Sequence, residues 1–240
     1  YNTTEVLSLD AGHNHNCGVF DGNVGCWGDN YGYQHGTGMV GEDTSYIDEI
    51  LAPANFVANQ VIKISASESH SCSINLVGEI HCWGLNDYGK IGNDQSHSSY
   101  SAVPNKILVW DGYGTVVDAD TGQYNSCAVL DNGTAACWGW NSVGQLGNGM
   151  YYQSDGYPRY PVAMVHGENI VKVSVGGRTI CFLLDNSKIK CTGAGSYGQL
   201  GNGGNPVSVS TPVEATFLPN ETIIDFEVSE SYGDDSVCAC

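Results

Sequence analysis

The residues with most chemistry to offer in this 240-residue chain are its ten cysteines. They stand at 17/26, 72/82, 127/137 and 181/191, with a last pair at 238/240. Three fates are open to such a set: metal ligation, disulfide bonding, or burial as free thiols. Metal knuckles use Cys-x2-4-Cys spacing, and Cys238-Ala239-Cys240 is too tight for one. The other four pairs are centred on turn sequences, which sets each pair opposite itself on neighbouring antiparallel strands. Opposed Cα atoms lie ~4.5–5.5 Å apart, within the reach of a disulfide. Four intra-hairpin bridges are therefore expected: Cys17–Cys26, Cys72–Cys82, Cys127–Cys137 and Cys181–Cys191. The alternative is free thiols packed on an apolar blade face. Bridges imply an oxidising compartment. The Asn-x-Ser/Thr sequons at Asn2, Asn132 and Asn220 agree with it as N-glycosylation sites. The expected location is extracellular or at the cell surface.

Other constellations are weaker. His13-Asn14-His15 places two imidazoles on one strand face, as a metal pair would. Yet His70, Asn125 and Thr179 occupy the place of His15 in later units, which points to a structural polar position. Gly193-Ala194-Gly195-Ser196-Tyr197-Gly198 satisfies G-x-G-x-x-G, but no helix follows, and sibling segments write the same turn with Asn. Loop acids at Asp29, Glu42-Asp43, Asp48-Glu49 and Asp234-Asp235 lack EF-hand spacing. No nucleophile elbow or acid/base pair is recognisable. Neither a cofactor nor a catalytic residue is expected.

The elements that hold these residues repeat. First cysteines recur about every 55 residues, and each pair is followed by Gly and a glycine-rich tail, clearest at Asn141-Ser142-Val143-Gly144-Gln145-Leu146-Gly147-Asn148-Gly149. An apolar strand then opens the next unit: Val61–Ile64, Val116–Ala119, Ile170–Val173 and Ile223–Phe226. Within the second unit Cys72, Ile74 and Leu76 share one strand face, with Val77-Gly78 as the turn. Asp21-Gly22, Asp131-Asn132-Gly133 and Asp185-Asn186-Ser187 are the corresponding turns. No sustained 3.6-residue apolar period occurs, so helix should be scarce. The fold class is all-β: blades of antiparallel sheet, four complete repeats plus a partial fifth. Units run over 5–59, 60–114, 115–168, 169–221 and 222–240, as one array.

Composition narrows the functions. Twenty-six acidic against eight basic residues give a formal charge of −18, which argues against nucleic-acid binding. No apolar run approaches the ~20 residues of a membrane span. Features that break the repeat are the better binding candidates. Met150 to Tyr160 holds Tyr151, Tyr152, Tyr157, Arg159 and Tyr160, a composition suited to recognition loops. Tyr31 and Tyr33, in the degenerate first tail, form a second candidate. The acidic stretch Gly41 to Ile50 reads as an insertion favouring a cationic partner. Trp27, Trp83 and Trp138 recur in phase and are read as packing residues.

Cys137-Trp138-Gly139 through Gly149 resembles the regulator of chromosome condensation repeat, and the resemblance spans nearly the whole chain. It implies a β-propeller; the family's propellers have seven blades, roughly 380 residues at this period. The chain is accordingly expected to be a segment of a longer one. The resemblance does not select a function. The reading is a secreted or cell-surface recognition or scaffolding module, binding an extracellular protein or glycan through blade-end loops. One alternative is a structural segment of a larger extracellular assembly, with self-association. Another is a polysaccharide-active enzyme using loop carboxylates.

Overall fold

The computed structural model describes residues 5–39, 44–49, 60–95, 99–108, 114–152, 158–163, 169–204, 207–216, 223–229 and 237–239. Four antiparallel four-stranded sheets follow one another along the chain. Blade 1 is β1 (Val6–Ala11), β2 (His15–Phe20), β3 (Asn23–Gly28) and β4 (Thr44–Glu49). Blade 2 is β5 (Val61–Ala66), β6 (His70–Asn75), β7 (Ile80–Leu85) and β8 (Tyr100–Lys106). Blade 3 is β9 (Val116–Thr121), β10 (Asn125–Leu130), β11 (Ala135–Gly139) and β12 (Val162–Ala163). Blade 4 is β13 (Ile170–Val175), β14 (Thr179–Leu184), β15 (Ile189–Gly193) and β16 (Val209–Glu214). A further pair, β17 (Phe226–Val228) and β18 (Val237–Ala239), opens a fifth unit. Among the described residues the one helical piece is a 3-10 turn at Asp87–Gly89.

The first strands of successive blades, β1, β5, β9, β13 and β17, pack side by side and form the inner wall. Between blades lie the apolar cores. One joins Cys127, Val129 and Leu146 of blade 3 to Val173, Ile180 and Phe182 of blade 4. Another joins Ile74, Ile80 and Ile91 of blade 2 to Val116, Leu130 and Trp138 of blade 3. Each blade thus buries its faces only against neighbours, as a stacked-repeat fold requires.

The cysteine ladder sits mid-blade. Cys17 faces Cys26, Cys72 faces Cys82, Cys127 faces Cys137, and Cys181 faces Cys191. Each pair is disulfide-bonded, with its Cα atoms 4.1 Å apart, and all eight side chains are buried. Cys238 is a free, exposed cysteine.

Three expectations need correction. Leu76 does not continue the strand face of Cys72 and Ile74. β6 ends at Asn75, and Leu76 and Val77 project from the turn, 65% and 59% exposed. Turn formation outweighs burial there: Asn75 Oδ1 accepts the Val77 and Glu79 N–H groups, closing an Asx-type turn. Secondly, Gly41 to Ile50 is not simply an insertion, because Thr44–Glu49 is β4, the outermost strand of blade 1. Thirdly, His13 lies in the turn before β2 rather than beside His15 on a strand face.

Candidate functional site: the tail face of the blades

The loops between first and second strands and the glycine-rich tails emerge at the same axial end of every blade, here called the tail face. The hairpin turns between second and third strands lie at the opposite end. Loop and tail are tied together by one repeated backbone bond: Asp29 N–H donates to Asn14 O, Leu85 to Ser69, Trp140 to Tyr124, and Ala194 to Arg178. The glycine before each tail has φ near +105°, and a side chain there would run into that same loop's backbone. This explains why Gly193 belongs to a turn rather than to a dinucleotide loop.

The first three tails are each folded by one buried asparagine, whose place Gly195 takes in the fourth. Asn30, Asn86 and Asn141 accept with Oδ1 from the N–H of His35, Ile91 and Leu146, respectively, five residues on. The tail then locks onto the following blade. Trp83 Nε1–H and Ser71 Oγ–H both donate to Gln34 O, at 2.7 and 3.2 Å. Trp138 Nε1–H and Ser126 Oγ–H both donate to Lys90 O, at 2.8 and 2.7 Å. In blade 4, Thr192 stands in the tryptophan place and donates to Gly144 O instead. Trp83 and Trp138 are fully buried in these seams, whereas Trp27 is half-buried.

The repeated histidine position serves the same seams. His15 Nε2 is 2.9 Å from Ser71 Oγ, and His70 bridges Ser67 Oγ and Ser126 Oγ at 2.8 Å each. Burial pushes His15 down to about 4 and His70 well below the ordinary imidazole value. Both are neutral hydrogen-bonding spacers at physiological pH.

The inner wall carries a polar code that sequence reading missed. Counterparts along the wall are Ser8/Asp10, Lys63/Ser65, Asp118/Asp120, Lys172/Ser174 and Asp225/Glu227. Acidic strands alternate with Lys/Ser strands, and the pairs meet across blades. Lys63 bonds Asp118, Ser65 donates to Asp120, Lys172 bonds Asp225 and Glu227, and Ser174 donates to Glu227. Asp10, Asp118 and Asp120 also accept backbone N–H groups of Ala66, Val173 and Val175 on the next blade. At the tail-face end of this wall opens a cavity of about 300 Å³, lined by Asp10, His13, Asp120, Thr121, Glu227 and small apolar residues. Burial and the charge of Asp10 raise Asp120 to about 7.

The same face carries an aromatic cluster drawn from three segments. Tyr124, three residues beyond the cavity-lining Thr121, meets Trp140 edge-to-face at 5.2 Å and Tyr88 at 5.6 Å. The guanidinium of Arg178 lies over the Trp140 ring, 5.1 Å from its centroid. Tyr88 holds a left-handed backbone, φ +61°, at a site where its counterparts are Gly32, Val143 and Tyr197.

The expected binding residues fall on the same face, though not as one patch. Tyr31 is 84% exposed, and Tyr33 stacks on Tyr100 at 4.1 Å. The described ends of the Met150 to Tyr160 stretch reach neighbouring blades. Tyr151 Oη–H donates to Ser208 O in blade 4, Tyr152 N–H to Asn141 O, and Arg159 packs on Gly89 of blade 2. Tyr160 is exposed, while Tyr157 lies outside the described residues. Asn132 sits on the opposite, turn face, where its Oδ1 accepts the Thr134 N–H. Asn2 and Asn220 lie outside the described residues. No helix among the described residues is long and apolar enough to cross a membrane, and no group of three or more metal-ligating side chains is found among them.

Comparison with known proteins fits this architecture. The regulator of chromosome condensation (RCC1) repeat matches residues 77–129, 132–183 and 191–239, with a second model of the repeat matching 61–90, 116–145 and 170–199. The chain belongs to the RCC1 repeat family. It is 27% identical over 209 residues to the human E3 ubiquitin-protein ligase HERC2, covering 84% of this chain but 4% of that protein. It is 29% identical over 144 residues to the ultraviolet-B receptor UVR8 of Arabidopsis thaliana, covering 60% of this chain and 32% of that one. The structure of yeast RCC1 (Prp20) bound to Kap60 superposes with a TM-score of 0.84 at 18% identity, over 100% of this chain and 54% of that one. The chain thus spans about half the length of that solved propeller and far less of the ligase. RCC1-like propellers commonly mediate protein interactions and are generally binding or regulatory modules.

Proposed function

We propose that this RCC1-like propeller is an extracellular or cell-surface recognition module whose tail face binds a protein partner. One observation carries the reading: side chains that depart from the repeat and remain accessible gather on that face. Tyr31, Tyr88, Tyr151, Tyr160 and Tyr197 are all at least 37% exposed. Exposed tyrosines offer large contact area at low entropic cost. The four bridged cysteine pairs support an oxidising compartment.

Two measurements test this. Differential alkylation of the protein from its own cells should find the eight paired cysteines blocked; free thiols at those positions would sink the extracellular placement. A photo-crosslinking residue placed at Tyr31 or Tyr197 should capture a partner protein in situ, and one at Leu76 or Val77 on the turn face should not. Equal capture from both faces would defeat the assignment of the face.

A further inference from the structure

We propose that the tail face selects an arginine-bearing, extended segment of its partner, read by Tyr88, Tyr124 and Trp140 on the same face as the acidic mouth. The proposal rests on the reading of the tail face as the recognition face and names what that face takes. The first support is position. At two of these places the repeat folds without aromatic groups: counterparts of Tyr124 are Asn14, Ser69 and Arg178, and counterparts of Trp140 are Asp29, Leu85 and Ala194, while the Tyr88 place holds Gly32, Val143 and Tyr197 elsewhere. Structural demand therefore does not account for three aromatic rings at one blade junction.

The second support is chemistry. The rings are held edge-to-face, with their orientation fixed in advance by the loop-to-tail bond from Trp140 N–H to Tyr124 O, 3.1 Å. Asn125 Nδ2 fixes the other side of the same turn, donating to Trp140 O at 2.6 Å. A guanidinium already lies against this cluster, that of Arg178 over Trp140. Planar guanidinium stacks on aromatic faces better than a compact ammonium does.

The third support is charge. Thr121, three residues before Tyr124, lines the mouth that carries Asp10, Asp120 and Glu227, on a chain of formal charge −18. An incoming cation is drawn by the field and then held by the rings. Tyr88 keeps a backbone conformation that a glycine would hold without strain, as expected of a side chain retained for contact rather than folding.

The test uses synthetic twelve-residue peptides with four arginines, four lysines or four glutamates spaced by Gly and Ser, titrated by fluorescence anisotropy. The probe is the full chain, wild type or with Tyr88→Gly, Tyr124→Ser or Trp140→Leu, residues that other units of this chain already carry. The arginine peptide should bind at least fivefold tighter than the lysine peptide. Each substitution should weaken it at least fivefold, with the melting temperature moving by no more than a few degrees. Binding that high salt abolishes but the three substitutions leave unchanged would overturn the proposal, as nonspecific attraction to an acidic surface. Absence of arginine-peptide binding would overturn it too. Either result leaves the tail-face reading standing, since that falls only with the crosslinking result.

Discussion

The two axial ends of the propeller solve the same problem, reversing an antiparallel strand, in different ways. At the turn face each reversal is local. Asn75, Asn132 and Asn186 close their own turns by accepting an N–H two residues on, and the next blade adds only one backbone bond, from Val61, Val116 or Ile170 N–H to the carbonyl of Gly22, Gly78 or Gly133. At the tail face the reversal takes a long segment, folded by a buried asparagine and clamped to the following blade by tryptophan, serine and histidine. The difference teaches where rigidity comes from. A loop bound on both sides can carry extra side chains in fixed positions, whereas a short exposed turn cannot. Support and recognition therefore fall on one face.

That contrast can be broken first at the seam. Trp138→Ala removes a fully buried indole and leaves the Lys90 carbonyl without one donor. It should cost about 3–5 kcal/mol in chemical denaturation. Trp27→Ala, at the half-buried counterpart, should cost less than half as much. Equal costs would mean that the tail clamp contributes little.

Next in size is the asparagine that folds the tail. Asn141→Ala leaves the Leu146 N–H buried without its partner and frees the Met150 carbonyl, at a cost of about 2 kcal/mol. Asn186→Ala on the turn face loses a solvent-exposed acceptor for Lys188 N–H and should change stability by a few tenths. If the two asparagines prove interchangeable in effect, the distinction between wired and local reversals fails.

How far the sequence foretold this depends on whether a feature repeats and whether its partner is near in the chain. The cysteine pairs, hairpin turns and inner strands repeat with short separations, so spacing alone located Cys72 opposite Cys82 and Val61–Ile64 within a strand that runs to Ala66. The outermost strands were not legible. Thr44–Glu49 read as an acidic insertion because an edge strand has one neighbour and little apolar demand. The pairing of Lys63 with Asp118, and of Lys172 with Asp225, was hidden for another reason: each partner lies about one repeat away. The aromatic cluster combines both obstacles. Tyr124 and Trp140 flank one hairpin of blade 3, but Tyr88 reaches them from the tail of blade 2. Their signal was departure from the repeat, which drew attention instead to the tyrosine-rich Met150–Tyr160 stretch.

The acidic mouth adds a pH dependence confined to the tail-face end. Asp120 is raised to about 7, so the folded state holds its proton more tightly than the unfolded chain, whose carboxyl titrates near ~3.9. Its contribution to stability is present below the unfolded value and is lost as pH rises towards 7. His15, lowered to about 4, has the opposite sign: stability is lost as pH falls from ~6.5 towards 4. The two slopes oppose each other over the same interval. Asp120→Asn removes the first, so the variant should gain on the wild type by about 2–3 kcal/mol between pH 5 and pH 8. The variant should also lose stability more steeply on acidification, as the histidines then act unopposed. Parallel melting curves for the two proteins across that range would show that Asp120 is not held against its ionisation.

The smallest effect is expected at the other end, and it bears on the comparison most directly. Leu76 and Val77 are the exposed apolar tip of the blade 2 turn. These two exposed apolar side chains stand at a turn whose geometry is set by Asn75 and by Gly78 at φ +75°. Leu76→Lys with Val77→Asn should alter stability by less than ~0.5 kcal/mol. It should leave arginine-peptide affinity within twofold, a small gain or loss of charge at the far end being screened beyond ~10 Å at moderate salt. Should this exchange weaken binding as much as Trp140→Leu, the turn face would be a contact surface after all. The division of labour between the two ends would then have to be abandoned, however well the tail-face wiring accounts for the fold.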